Sequence, residues 1–388
     1  MIKKVFPLLA LATFTSLLGA GIIAPLLPLY ADSLGANNIW LGIISAAFFI
    51  SGAIFMPITG RLSDRTGRKA FISTGLAIYT IASIGYIWAS SVSQLTLVRL
   101  LQGAAFGTIT PVAQAYIGDI SPEGEEGRWM GYFNACFFIG FGVGPLIGGV
   151  LTDHFGMPAA FYSMTGLSLM AFLLVAFLLP EARPKKIATS PNLSFKEVAE
   201  TRILRGLGIC RLSFGVGRGA FTTFLPIFAA IYLHLNSTVI GIILAVNLLL
   251  VSTLQFFTGQ IADRFNKRKL VILGSLANLT YLALIPHAYS LWYLLGLSVL
   301  GGLGVAIATP AASATAVEEG RKLGMGSATA VFTTTFSIGM AVGPLISGVI
   351  ADVANINSVF YLAAGVALAG TGLFIWFTMT CPPKTSPV

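Results

Sequence analysis

Long uncharged stretches alternate with short polar ones along almost the whole chain. Twelve apolar runs can be read, at residues 5–31, 39–61, 70–89, 93–117, 127–151, 158–180, 204–233, 237–262, 269–288, 290–315, 325–351 and 357–380. Each holds about 20 residues or more. At about 1.5 Å per residue an α-helix of that length crosses a hydrocarbon layer about 30 Å thick. Most of the breaks leave room only for tight turns, so consecutive helices are expected to run antiparallel. One break is long. Residues 181–203 carry Pro184, Pro191 and a cluster of cations, and a short amphipathic helix is expected near 195–201. This segment reads as a cytoplasmic linker between an N-terminal half, 1–180, and a C-terminal half, 204–388. The first run opens behind Lys3 and Lys4, as a signal peptide does. It continues to Tyr30, which is span length rather than the roughly 7–15 residues of a signal core.

The polar breaks repeat. GRLSDRTGRK at 60–69 returns as GQIADRFNKRK at 259–269, which places Asp64 and Asp263 199 residues apart. The same offset relates Gly42 to Gly241, Pro111 to Pro310, Asp119 to Glu318 and Asp153 to Asp352. It also relates Gly140, Gly144 and Pro145 to Gly339, Gly343 and Pro344. The prediction is an all-α membrane protein of twelve transmembrane helices in two pseudo-symmetric six-helix bundles. Parallel repeats of this kind are a transporter architecture, with the substrate site near the midplane between the halves.

Composition narrows the class. The chain has 388 residues, 56% hydrophobic and 10% charged, with mean hydropathy +0.86. Soluble domains carry about 25% charged residues, so the lipid bilayer is the expected partner. The net charge of +9 does not point to nucleic acid, because the cations form no single basic face. Arg99, Arg211 and Arg218 lie well inside apolar runs, and every other Lys and Arg falls in alternate breaks, at the run ends beside them, or in the tails. Such one-sided bias predicts a plasma-membrane, multi-pass protein with both termini cytoplasmic. All acids sit in loops or at run ends, and the three His lie near the outer ends. The three Cys form no framework, and no phosphate-binding glycine loop is present. No enzyme, metal or cofactor is expected. The chain is expected to act as a monomer on a small-molecule substrate.

Four constellations stand out. The hairpin at 60–69 concentrates Arg61, Arg65, Arg68, Lys69 and Asp64. Asp64 is placed to pair with Arg68 one helical turn on, or to accept from backbone N–H groups at a nearby helix start. Topology alone needs cations but no acid, so the second acid at Asp263, beside Arg264, points to gating. In RLLQGAAFG, Arg99 lies six residues into its run and shares a face with Gln102, Phe106 and Thr110. A charge at that depth costs a few kcal/mol and usually faces a cavity, unless it snorkels to the headgroups. In GFGVGPLIGG, Gly140, Gly144 and Gly148 make a smooth strip for tight helix contact, and Pro145 permits a kink. That packing is expected to seal one side of the pathway. Finally, Arg211 and Arg218 share a face with Phe214 and Phe221. Arg218 is too deep to snorkel easily. Its expected partner is amide or backbone, Asn247 or Asn134 among the candidates, or else a substrate anion.

These motifs resemble those of the major facilitator superfamily, and within it the twelve-helix drug:proton antiporter group. GRLSDRTGRK is similar to the loop 2–3 signature, RLLQGAAFG to the fourth-helix motif and GFGVGPLIGG to the fifth-helix motif. LGAGIIAPLLPLYADSLG, at 18–35, is similar to the first-helix motif of the same group. The resemblance implies that Asp64 stabilises the outward-facing state near the start of the eleventh helix, with Arg68 and Asp119 in a charge relay. It places Arg99 near the proton route, and it makes Gly144 and Pro145 shape a helix at the interface of the halves. Some members carry a mid-membrane acid in the first helix, whereas here Asp32 lies at that helix's outer end. The implied task is export of small hydrophobic or amphipathic compounds, driven by the proton motive force through alternating access. A carrier of organic anions is the alternative that Arg99 and Arg218 favour. A non-pumping transporter-like sensor or lipid-handling protein is the alternative from another class.

Overall fold

The computed structural model describes residues 2–122, 126–181, 201–323 and 325–379. Within these, the side chains of Asp64, Asn134, Asp263 and Arg264 lie outside the described set. So does nearly all of the expected linker with its short helix.

Twelve α-helices run through the described residues. They are α1 (Ile2–Ser33), α2 (Asn38–Thr66), α3 (Lys69–Trp88), α4 (Val92–Ile120), α5 (Glu126–Phe155) and α6 (Met157–Leu178). The second six are α7 (Arg202–Leu233), α8 (Ser237–Arg264), α9 (Lys267–Leu284), α10 (Leu291–Leu323), α11 (Met325–Val353) and α12 (Ile356–Met379). A single 3₁₀ turn, Ile285–His287, follows α9. Eleven of the twelve are long and apolar enough to cross a membrane. The other, α5, has 30 residues and packs along α1 and α8. Large apolar side chains face outward, with Phe177 79% and Trp292 80% exposed. Water would not tolerate so broad an apolar surface on a monomer, and lipid does. The protein is a multi-pass membrane protein.

Local sequence explains where the helices begin and end. Asn37, Ser91, Asn236 and Asn266 each accept a hydrogen bond from the backbone N–H three residues on, capping α2, α4, α8 and α9. α2 stops at Thr66 because Gly67 takes φ +107°, a conformation that L side chains rarely adopt. The chain then re-enters helix at Lys69.

The helix pairings repeat between halves. α1 packs on α5 as α7 packs on α11, and α2 on α4 as α8 on α10. α3 lies against α4 and α6 as α9 lies against α10 and α12. The two bundles meet mainly through α5 against α8 and α2 against α11.

Candidate functional site

The meeting of the bundles is one-sided. α2, α5, α8 and α11 touch across the seam toward the end opposite the 60–69 hairpin, here called the far face. Gly42 lies against the Pro344 carbonyl and Gly241 against the Pro145 carbonyl, so that a Cβ at either glycine would overlap backbone. Gly348 meets Asn38 and Gly149 meets Ser237 in the same way. Toward the hairpin face the glycine-to-backbone contacts across the seam do not recur among the described residues. On α2, Ala53, Ile54, Phe55, Pro57 and Ile58 are all exposed. At about 3.6 residues per turn these positions span more than half the circumference of the helix, wider than a single lipid-facing stripe, while Gly52 and Thr59 stay packed on α4. On α11, Thr333, Thr334 and Ile338 are likewise exposed. A cleft therefore opens between the halves at the hairpin face and ends at the far face.

Two carboxylates close the far face. Asp352, at the end of α11, accepts from the N–H groups of Asn38 (3.1 Å) and Ile39 (3.1 Å) and from the Asn38 amide (2.7 Å). Asp153, at the end of α5, accepts from the N–H groups of Ser237 (3.2 Å) and Thr238 (2.8 Å). The first N–H groups of a helix have no partner within it, and they carry its partial positive charge. Here the caps Asn37 and Asn236 take the third N–H of α2 and α8. The first two N–H groups of each helix go to an acid of the opposite half. Sequence reasoning recorded Asp153 and Asp352 only as a repeat. Their pairing at the 199-residue offset was the available signal.

The glycine strip behaves otherwise than expected. Gly140, Gly144 and Gly148 pack on Phe14, on Leu18 and Gly21, and on Ile22 of α1. They hold α5 within its own half and do not seal the seam. The seam is made by the other side of α5, through Gly142 against Leu249, the Pro145 carbonyl and Gly149. Gly339 and Gly343 repeat the arrangement on α7, while the Pro344 carbonyl faces Gly42. Close approach by i, i+4 glycines identifies a packing face, not its partner.

The hairpin is braced from below. α2 ends at Thr66, so Arg68 begins the next segment. The Arg68 guanidinium donates to Ser63 Oγ (2.8 Å) and pairs with Asp119 at 3.0 Å, with both side chains nearly buried. Glu181 accepts from the backbone N–H groups of Arg68 (2.8 Å) and Lys69 (3.2 Å), where a negative charge favours the start of α3. In the second half Lys267 pairs with Glu318 at 2.7 Å, the same two positions 199 residues on. Arg65, in the last turn of α2, is exposed. The expected contacts of Asp64, Asp263 and Arg264 lie outside the described residues.

The deep arginines point inward. Arg99, 7% exposed, stacks over the Phe48 ring at 4.6 Å and donates to Gln102 Oε1 at 2.8 Å. Gln102 also accepts from the Tyr86 hydroxyl (2.6 Å) and donates to the Tyr79 hydroxyl (2.9 Å). Phe106 packs on Phe48, its ring centroid 5.4 Å away. Snorkelling is excluded by this geometry, since the guanidinium ends in a buried network between α3 and α4. Arg218 donates to Asn247 Oδ1 at 2.5 Å and lies over Phe221 at 5.6 Å. Asn247 is buried and donates in turn to the Ser298 carbonyl at 2.8 Å. The chain Arg218–Asn247–Ser298 ties α7, α8 and α10 together. Asn134, the other candidate partner, lies outside the described side chains. With an internal amide holding its charge, Arg218→Gln is expected to keep the affinity for a neutral probe within about threefold. A titration of purified protein checks it, and a tenfold loss would make Arg218 a substrate contact.

The family follows from comparison with known proteins. The model of the Major Facilitator Superfamily matches residues 9–206 and again 207–388. The chain belongs to that superfamily, and it is a transporter of that class. It is 29% identical over 371 residues to an uncharacterized MFS-type transporter of Methanocaldococcus jannaschii, covering 93% of this chain and 95% of the relative. It is 30% identical over 380 residues to the quinolone resistance protein NorA of Staphylococcus aureus, covering 95% of each. In fold it is similar to a bacterial homolog of the human lysosomal transporter Spinster in an inward-facing and occupied conformation. There the TM-score is 0.83 at 13% identity, over 98% of this chain and 97% of the other.

Proposed function

We propose that the protein exports small hydrophobic or amphipathic compounds across the plasma membrane in exchange for protons, by alternating access. The hairpin face is cytoplasmic in this reading, and the conformation described is the inward-facing one. One observation carries it. The cleft between the halves is closed at one end by contacts that can separate, lies open at the other, and has no acid at mid-span. A cavity of that kind suits apolar solutes of loose specificity. The likeness to NorA, whose name records quinolone resistance, supports the same reading. Arg68 with Asp119 and Lys267 with Glu318 brace the hairpin-face turns, where Asp64, Arg65, Asp263 and Arg264 gate that end. Arg99 and Gln102 couple the α3–α4 network to the cleft. No cofactor takes part, and the energy comes from the proton gradient.

Purified protein in liposomes with an imposed pH gradient tests this. A lipophilic fluorescent dye is expected to move against its own gradient and to stop when a protonophore is added. Dye movement that ignores the protonophore would refute the coupling. No protein-dependent movement at all would favour the sensor or lipid-handling alternative. The orientation is checked in intact cells. Asn37→Cys and Ser91→Cys are expected to react with an impermeant thiol reagent, and Thr66→Cys to stay unlabelled.

A further inference from the structure

Of the three arginines deep in the apolar runs, Arg99, Arg211 and Arg218, the protein's own amides hold two. The third, Arg211, is different. It lies nine residues into α7, about 14 Å along the helix from Arg202. Its guanidinium stacks over the rings of Phe332 (4.7 Å) and Phe336 (4.3 Å) on α11. Its one hydrogen bond among the described residues, to Thr309 Oγ1 on α10, is long at 3.4 Å. Its Nε is buried with no acceptor, and among the described residues no carboxylate contacts it. A guanidinium is a five-donor fork that matches a carboxylate through two parallel bonds, and a buried one without acceptors is costly. Beside it runs a narrow crevice between α7 and α10, lined by Cys210, Phe214, Ala308, Thr309 and Ala312. Apart from Arg211 and Thr309 the lining is apolar or nearly so. Arg211 is itself partly exposed.

We propose that Arg211 receives the acidic head of an amphipathic organic anion, with Phe332 and Phe336 facing its apolar body. Binding draws the guanidinium off Thr309 and supplies the acceptors it lacks. The inference rests on the transport reading and names its substrate class. Within that class the acid should be preferred over its neutral isostere because only the acid pairs with the fork.

The test is an equilibrium titration of purified full-length protein with 2-naphthoate and with 2-naphthamide, which differ in charge but hardly in shape. Wild type is expected to bind the acid at least tenfold more tightly. Arg211→Gln should lose that preference, with the acid weakened at least tenfold and the amide changed less than twofold. Arg211→Lys, which keeps the charge but not the fork, should weaken the acid about fivefold. Equal binding of acid and amide by wild type overturns the proposal, whether or not any variant folds. So does an acid preference that survives in Arg211→Gln, or no naphthoate binding. The dye experiment judges the transport reading separately. Gradient-driven dye movement without an acid preference sinks only the present proposal, whereas acid binding without any gradient-driven flux sinks the transport reading.

Discussion

Gly241→Val is expected to yield a folded, inserted protein whose far face cannot close. The added side chain meets the Pro145 carbonyl and the backbone of Leu146 across the seam, and backbone cannot swing aside as a flexible side chain can. The three atoms nearest to an added Cβ all belong to the opposite half. Overpacking of this kind costs about 3 kcal/mol, and here the closed state alone carries that cost. The ratio of closed to open should fall about 100-fold. Transport should fall to near background, while yield and thermal stability stay near wild type. Spin labels at Ser90 and Tyr289, exposed and one in each half at the far face, should report a longer distance. Gly144→Val makes the contrast. Its new atoms would meet Leu18 and Gly21 of α1 inside one bundle, so yield should collapse instead. Full transport by Gly241→Val would mean that the seam observed here is not part of the cycle.

The second large effect belongs to the two carboxylates. Asp153→Asn with Asp352→Asn keeps the shapes but removes both charges from the helix starts. Each carboxylate at a helix N-terminus is worth about 1 kcal/mol, so the pair should shift the balance toward the open far face about 30-fold. The same labels at Ser90 and Tyr289 would show it, and either single change should give about a fivefold shift. An unchanged distance distribution in the double variant would show that glycine packing alone holds the face. Acidity acts on this contact in a known direction. Partial burial pulls the Asp153 carboxyl up, but hydrogen bonds from Thr238 and Ser237 outweigh it and hold the group below its ordinary value of 3.8. A depressed pKa means the contact is fully present above that value and is lost only as pH falls beneath it. Between pH 5 and 8 the Asp153 contact should therefore stay engaged. Its release is not the proton step of a neutral-pH cycle.

Much of this architecture is legible in the residues alone. Apolar length fixes the helices, and the 199-residue offset fixes which elements correspond. Partners are harder to read, because contacts that decide the site join residues far apart in the chain. Asp352 and Asn38 are separated by 314 positions, Asp153 and Thr238 by 85. The glycine strip on α5 was legible as a packing face. That it faces α1 follows from bundle geometry, which spacing along one helix does not contain. The hairpin at 60–69 was legible as a turn, but the residue at which α2 ends was not, because a glycine before charged residues also fits inside a helix, and only the φ of Gly67 shows the break. The deep arginines show a subtler limit. Position 48 on α2 is Phe and its counterpart 247 on α8 is Asn, while Arg99 on α4 corresponds to Ser298 on α10. In the second half the deep cation held by an amide is instead Arg218 on α7, with Asn247 as its partner. Neither residue looks informative until the repeat is overlaid on the contacts.

The crossed caps at the far face have a consequence for how such a molecule can be assembled. Each half carries both parts of the contact, an acid ending one helix and an amide-rich start to another. Two copies of a single half would therefore close the same face on themselves, as an isologous pair about a twofold axis. In such a pair any change at the acid would strike both contacts at once. Joining the copies in one polypeptide removes that constraint and lets each contact drift alone. The hairpin faces already show the freedom, with Arg68–Asp119 on one side and Lys267–Glu318 on the other, whereas at the far face both acids have remained aspartate.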